Sequence, residues 1–150
     1  MKLIISGTDG SSGAESAVAF AADLAKSCHA KLLIVYVSED KLSHSDLNML
    51  ERLRVSEGDA LEEISGRILS KARVVAQEHG ASTIELMGAA GDPAQVLIQI
   101  AKDKSADVIA VGRRGRGQLE GLLLGSVSQK LSCLAPCSVI VVPRPDTTAR

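Results

Sequence analysis

Five short apolar runs recur along the 150 residues, and each ends at serine, glycine or proline. They are Leu3–Ile5 within the segment Lys2 to Asp9, then Lys31 to Val37, Thr83 to Met87, Val108 to Val111, and Ser138 to Val142. Runs of this length bounded by turn residues read as buried strands. Between them lie segments whose apolar residues repeat at helical spacing. Strands alternating with helices, apolar on both faces, predict a parallel sheet sandwiched between helices. The expected fold class is therefore α/β, a three-layer sandwich around an open five-stranded sheet. No internal linker or solenoid-length repeat interrupts it, and residues 1–150 fit one domain.

The helical segments carry their own start and stop signals. Ser11 or Ser12 can cap the first helix, with Glu15 near the third position as in a capping box. Its inner positions are Ala17, Val18, Ala21, Leu24, Ala25 and Cys28. A long helical stretch runs from about Ser43 to Glu78, with Leu47, Leu50, Leu53, Leu61, Ile64, Ile68 and Val75 on a broad face. Gly58 and Gly66 each cost it about 1 kcal/mol, so a bend or break is expected near Gly58. Gly80 ends it in the manner of a C-terminal glycine. Gly91-Asp92-Pro93 starts the next helix, with aspartate as cap and proline at the first turn. Val127, Leu131 and Leu134 give the last helix its inner face, and Arg144 to Arg150 forms a polar tail.

Composition removes several functional classes. Aromatic residues are 1% of the chain, Phe20 and Tyr36, so there is almost nothing to stack on bases. The net charge is −1 with no long like-charge run, which argues against nucleic acid and acidic membranes as partners. No apolar run of about 20 residues and no signal peptide is visible, which points to the cytoplasm. Cys28, Cys133 and Cys137 form no Cys-x-x-Cys pair, which favours a reducing compartment and buried thiols. His29, His44 and His79 are scattered at element ends and read as solvent-facing rather than as metal ligands.

The segment richest in chemistry follows the fourth strand. Val108–Val111 runs into Gly112-Arg113-Arg114-Gly115, and Gly125-Ser126-Val127-Ser128 opens a helix ten residues later. Glycines let backbone N–H groups approach a ligand, and a helix N-terminus offers unpaired donors with a partial positive charge. Ser126 and Ser128 add hydroxyls. The loop exceeds the roughly 2–6 residues usual between strand and helix, which marks it as functional or disordered. It is not a Walker loop, because no lysine follows any of its glycines. Nor is it a dinucleotide fingerprint, because Glu120 stands where the third glycine would fall. With strand order 3-2-1-4-5, the winding reverses between strands one and four. Gly7-Thr8-Asp9 then lies beside Gly112 in one crevice, where open sheets of this kind bind ligands.

Gly112-x2-Gly115-x9-Gly125-Ser126 resembles the nucleotide-binding signature of the universal stress protein family, in its ATP-binding subgroup. The resemblance covers nearly the whole chain, including Asp9-Gly10-Ser11 and Gly91-Asp92-Pro93. It implies a Rossmann-like, adenine nucleotide alpha hydrolase-like fold and a nucleotide-dependent stress-response switch. It implies ATP, ADP or AMP as ligand, with magnesium left open. The implied ligand residues are Gly7, Thr8 and Asp9 near adenine and ribose, Val37 through its backbone, and Gly112, Gly115, Gly125, Ser126, Val127 and Ser128 on the phosphates. Arg113 and Arg114 either reinforce phosphate binding or stay solvated. Asp9 suits ribose hydroxyls, with a metal-facing role or a plain turn cap as alternatives. Two departures stand out: Gly7 replaces a common proline, and Arg113-Arg114 replaces a small residue followed by Arg or His.

Two other readings compete. Ser6-Gly7-Thr8-Asp9-Gly10-Ser11 is reminiscent of the Ser-Gly-Gly-x-Asp-Ser loop of ATP pyrophosphatase-type adenylating enzymes, but lacks its second glycine. A nucleotide-free dimeric signalling module of the same family is the other. No catalytic triad, metal cluster or paired carboxylates accompany the site, so at most slow ATP hydrolysis is expected. Val139, Ile140, Val141 and Val142 would lie at the sheet edge without protecting charges, predicting a homodimer through strand five. The resemblance points to the same edge.

Overall fold

The computed structural model describes residues 1–39, 44–53, 57–113 and 124–145. Its elements are β1 (Leu3–Thr8), α1 (Ser12–Cys28), β2 (Lys31–Ser38), α2 (His44–Leu53), α3 (Glu57–Glu78), β3 (Ile84–Ala90), α4 (Pro93–Lys104), β4 (Val108–Gly112), α5 (Ser126–Leu134) and β5 (Ser138–Val142). The five strands form one sheet in the order β3-β2-β1-β4-β5, and every neighbouring pair is parallel. The expected α/β sandwich and its strand order are therefore present.

Alternation along each strand divides the interior into two layers. Ile4, Leu32, Ile34, Val108 and Ala110 pack with Val18, Ala21 and Ala25 of α1 and Leu69, Ala72 and Ala76 of α3. Ile5, Leu33, Val35, Val37, Ile109 and Val111 pack with Ala94, Leu97 and Ala101 of α4 and Leu131 of α5. The alanines of α1 fulfil their expected role: a small face lets the helix lie close to the sheet. The inner face of α3 is rotated from the expected one. Leu69, Ala72 and Ala76 are buried, whereas Ile64 is 40% exposed. Alanines, too small to stand out in an apolar stripe, define that face. Leu53 and Leu134, both expected inside, are exposed at the ends of α2 and α5.

Helix ends carry much of the local specificity. Gly80 has φ +87°, and the amides of Gly80 and Ala81 donate to the carbonyls of Gln77 and Ala76. This double bond pattern closes the last turn with a left-handed residue. His29 and Ser105 close α1 and α4 in the same way, at φ 53° and 51°. In each case the next residue, Ala30, Ala81 or Ala106, is buried at the approach to the following strand. The thiols differ from expectation: Cys28 and Cys133 are exposed and Cys137 is only partly covered. Burial pushes the Cys137 thiol up from its ordinary range. At the amino ends of the strands, the amides of Lys2 and Leu3 donate to Asp107 and hold its carboxyl below the usual range.

Candidate functional site

The ladder registers locate a crevice. Pairing between β1 and β4 stops at Ser6 with Ala110. Beyond that point β1 continues against β2 as far as Thr8 with Tyr36, and β4 continues against β5 as far as Gly112 with Val142. The two central strands thus part company at their carboxyl ends, where the winding reverses, and such a gap is where open α/β sheets take ligands. β2 likewise outruns β1: Val37 and Ser38 pair onward with Ala89 and Ala90 of β3. Gly7, Thr8 and Asp9 therefore border the same crevice as Val37, Gly112 and Arg113. Gly115 and Arg114 lie outside the described residues.

One side of the crevice is closed by α1. A Cβ on Gly112 would stand 2.8 Å from the carbonyl carbon and 2.9 Å from the carbonyl oxygen of Gly13, in the first turn of α1. Gly112 is thus required by packing, whatever it does for a ligand. Gly13 was not singled out from the sequence; its only signal was a glycine beside a serine cap. Gly7 faces the other layer, where a Cβ would approach Leu97 Cδ1 at 3.0 Å and Val111 Cγ1 at 3.2 Å.

The turn after β1 forms hydrogen bonds within itself. Asp9 Oδ1 accepts from the Ser11 amide at 2.9 Å, and Thr8 Oγ1 accepts from the Gly10 amide at 3.2 Å. Ser11 caps α1 by accepting from the Ala14 amide at 3.2 Å. Ala14 occupies the third helical position, so Glu15 sits one residue too late for a capping box. Asp9 takes the Ser11 amide instead. Asp9 thus makes a turn-cap hydrogen bond here. Ser6, just before it, is fully buried, and its hydroxyl has no hydrogen-bond partner among the described residues. A cleft of about 200 Å³ lies on the α1 and α3 side, between the turn and Arg67, Ile68 and Lys71. Of the expected ligand residues that are described, only Thr8 lines it.

Across the crevice, the start of α5 is organised differently. Its cap is Gly125, which supplies no side-chain hydrogen bond to the first turn. By contrast, α4 has Asp92 accepting from the Gln95 amide at 3.0 Å, with Lys130 of α5 3.5 Å from the same carboxylate. Among the described residues no side chain caps the amides of Ser126, Val127 and Ser128, which keeps the donor character of a helix start. Gly125 has φ −73° and ψ 169°, a conformation open to any residue. Its glycine is not demanded by backbone torsion. Ser126 is exposed at this start, while Ser128 is 2% exposed. The Ser128 hydroxyl donates inward, 2.8 Å from the Arg113 carbonyl and 3.1 Å from that of Gly125. Its amide, not its hydroxyl, stays in line with the open donors.

Among the described residues, no group of three His, Cys, Asp or Glu side chains is placed to hold a metal. None of the helices they form is long and apolar enough to cross a membrane. At the sheet edge, Val139 to Val142 are partly exposed. Val139 packs against the α4–α5 layer and Ile140 against the α1–α3 layer. Arg144 Nη1 reaches Ser12 Oγ at 3.4 Å, so the start of the tail turns toward α1.

Comparison with known proteins adds a second line. The model of the universal stress protein family matches residues 1–143. Universal stress protein YxiE of Bacillus subtilis is 33% identical over 143 residues, covering 89% of this chain and 93% of the relative. A universal stress protein of Mycobacterium tuberculosis is 32% identical over 146 residues, covering 94% and 95%. A universal stress protein crystallised in complex with cAMP superimposes with a TM-score of 0.73 at 26% identity, covering 96% of this chain and 98% of that one.

Proposed function

This chain belongs to the universal stress protein family, and we propose that it is an ATP-binding member acting as a nucleotide-dependent switch in the cytoplasmic stress response. The observation that carries the reading is the start of α5. It lies beyond the end of β4, at the reversal of the sheet, with three successive amides that no side chain among the described residues caps. Such a start attracts phosphate through its donors and its dipole. The complex of a related protein with cAMP supports an adenine nucleotide as the ligand class. In this reading the phosphates lie on Gly125, Ser126 and the amides of Val127 and Ser128, with Gly115 and the Arg113-Arg114 pair alongside. Adenine and ribose lie near Gly7, Thr8, Asp9 and Val37. ADP and AMP fit the same donors, and magnesium would have to be held chiefly by the nucleotide.

Titration calorimetry with ATP tests the site. Wild type is expected to bind and Gly125→Val to lose binding while keeping its fold, because valine readily adopts the torsions of Gly125. Equal affinity of the two proteins would remove the cradle reading. The sequence offers no obvious base to activate water at such a site. Hydrolysis is therefore expected far below the roughly 1–1,000 per second of ordinary enzymes. Rapid phosphate release that tracks Asp9 would replace the switch with an ATPase.

The dimer is proposed through β5, whose outer edge lacks inward charges and mid-strand proline. Val139 and Ile140 also support the interior, whereas Val141 belongs to neither buried cluster. Val141→Lys should therefore convert a sedimenting dimer to monomer without unfolding it. A wild-type monomer at micromolar concentration would exclude this edge.

A further inference from the structure

We infer that Ser128 is a positioning residue of the nucleotide site: its buried hydroxyl fixes the start of α5 against the end of β4 and does not ligate phosphate. The inference rests on the nucleotide reading above and adds a division of labour within it. Four hydrogen bonds define the arrangement. The Arg113 amide donates to the Val142 carbonyl at 2.8 Å. The Arg113 carbonyl accepts from the Gly125 amide at 2.8 Å and from the Ser128 hydroxyl at 2.8 Å. The Gln129 amide donates to Gly125 at 3.0 Å, the first bond of the helix proper.

The backbone of one residue, Arg113, thus ties the edge strand to the first turn of α5 through its amide on one side and its carbonyl on the other. Its position is fixed from the other direction as well, because the preceding Gly112 rests on the backbone of Gly13. The chain leaves this point after Arg113 and returns to it at Gly125, so the Arg113 carbonyl sets where the amides of Ser126 and Val127 stand. A hydroxyl has one proton to donate. In Ser128 that proton lies between two protein carbonyls in a site 2% exposed. Turning it outward would break a buried bond and weaken the anchor of the very donors a phosphate needs. Ser126, exposed at the first helical position, has no such engagement among the described residues and remains the hydroxyl available to a ligand.

The test compares Ser128→Ala, Ser128→Thr and Ser126→Ala with wild type. Two quantities are read: ATP and adenosine affinity by calorimetry, and hydrogen exchange of the Gly125 amide without nucleotide. Positioning predicts that Ser128→Ala speeds that exchange and weakens ATP about 10-fold, with adenosine unchanged. A shift of that size is what losing one hydrogen bond brings about. Ser128→Thr restores both, and Ser126→Ala leaves the exchange at its wild-type value. Should the threonine methyl prevent folding, Ser128→Cys, a weaker donor of similar size, should fall between serine and alanine. Weakened ATP binding with unchanged Gly125 exchange would make Ser128 a direct ligand and overturn the inference. Unchanged ATP affinity in Ser128→Ala would overturn it too. Failure of wild type to bind ATP removes the nucleotide reading itself and this role with it, and that result is separate from any variant.

Discussion

Two helices begin at the carboxyl end of the sheet on either side of the reversal, and they begin in opposite ways. α1 is capped by a side chain: Ser11 takes the Ala14 amide, Asp9 takes the Ser11 amide, and Gly13 lies against Gly112. α5 opens with a glycine that caps nothing by side chain, and its one buried hydroxyl points back into the protein. The dipole of each helix favours an anion at its start, and among the described residues α5 also leaves open the third-position amide that Ser11 closes in α1. The two glycines, Gly112 and Gly125, differ in the same sense: packing requires the first, and backbone torsion does not require the second.

Each half of that contrast can be broken. The largest effect should come from Gly112→Ala. Its new methyl would meet helix backbone, which cannot swing aside as a side chain would. A loss of about 3 kcal/mol is expected in urea unfolding, the upper range for overpacking. A loss under about 0.5 kcal/mol would mean that α1 shifts freely and that Gly112 serves the ligand alone. Ser11→Ala should cost about 1 kcal/mol, the usual worth of such a cap, and leave ATP affinity unchanged. Weakened nucleotide binding in that variant would show that the capped helix start belongs to the site. The smallest change in stability should come from Gly125→Ser. It gives α5 a side-chain cap and should stabilise the fold by a few tenths of a kcal/mol, roughly the difference between these caps. The serine competes for the same amides, so ATP should bind more weakly even as the melting temperature rises. A variant that gained both stability and affinity would contradict the role assigned to the open start.

Most of the architecture was legible because it depends on local signals. Five apolar runs with helices between them allow few topologies, and the glycine-rich turns after β1 and β4 fall at the predicted reversal. Asp92-Pro93 and Gly80 mark their helix ends by residue type alone. What escaped is non-local or small. The contact of Gly112 with Gly13 joins residues far apart in sequence, and Ser128 reaches a carbonyl fifteen residues away. Neither direction is encoded in the motif that contains them. The face of α3 was misjudged because Ile64 stands out in an apolar pattern and Ala72 does not, although packing against α1 and the sheet selects the alanine. His29 and Ser105 were missed as left-handed helix ends because that role is usually glycine's.

The interior is built from aliphatic side chains, with Tyr36 half-buried on β2 as the chain's only tyrosine and no tryptophan anywhere. In ultraviolet light such a protein is almost dark. An adenine ring absorbs strongly where this chain contributes little, so the spectrum of the purified protein counts bound nucleotide per chain. The same darkness leaves Tyr36 as a single native optical reporter. It pairs with Thr8 of β1 one residue before Val37, at the edge of the crevice it would report on.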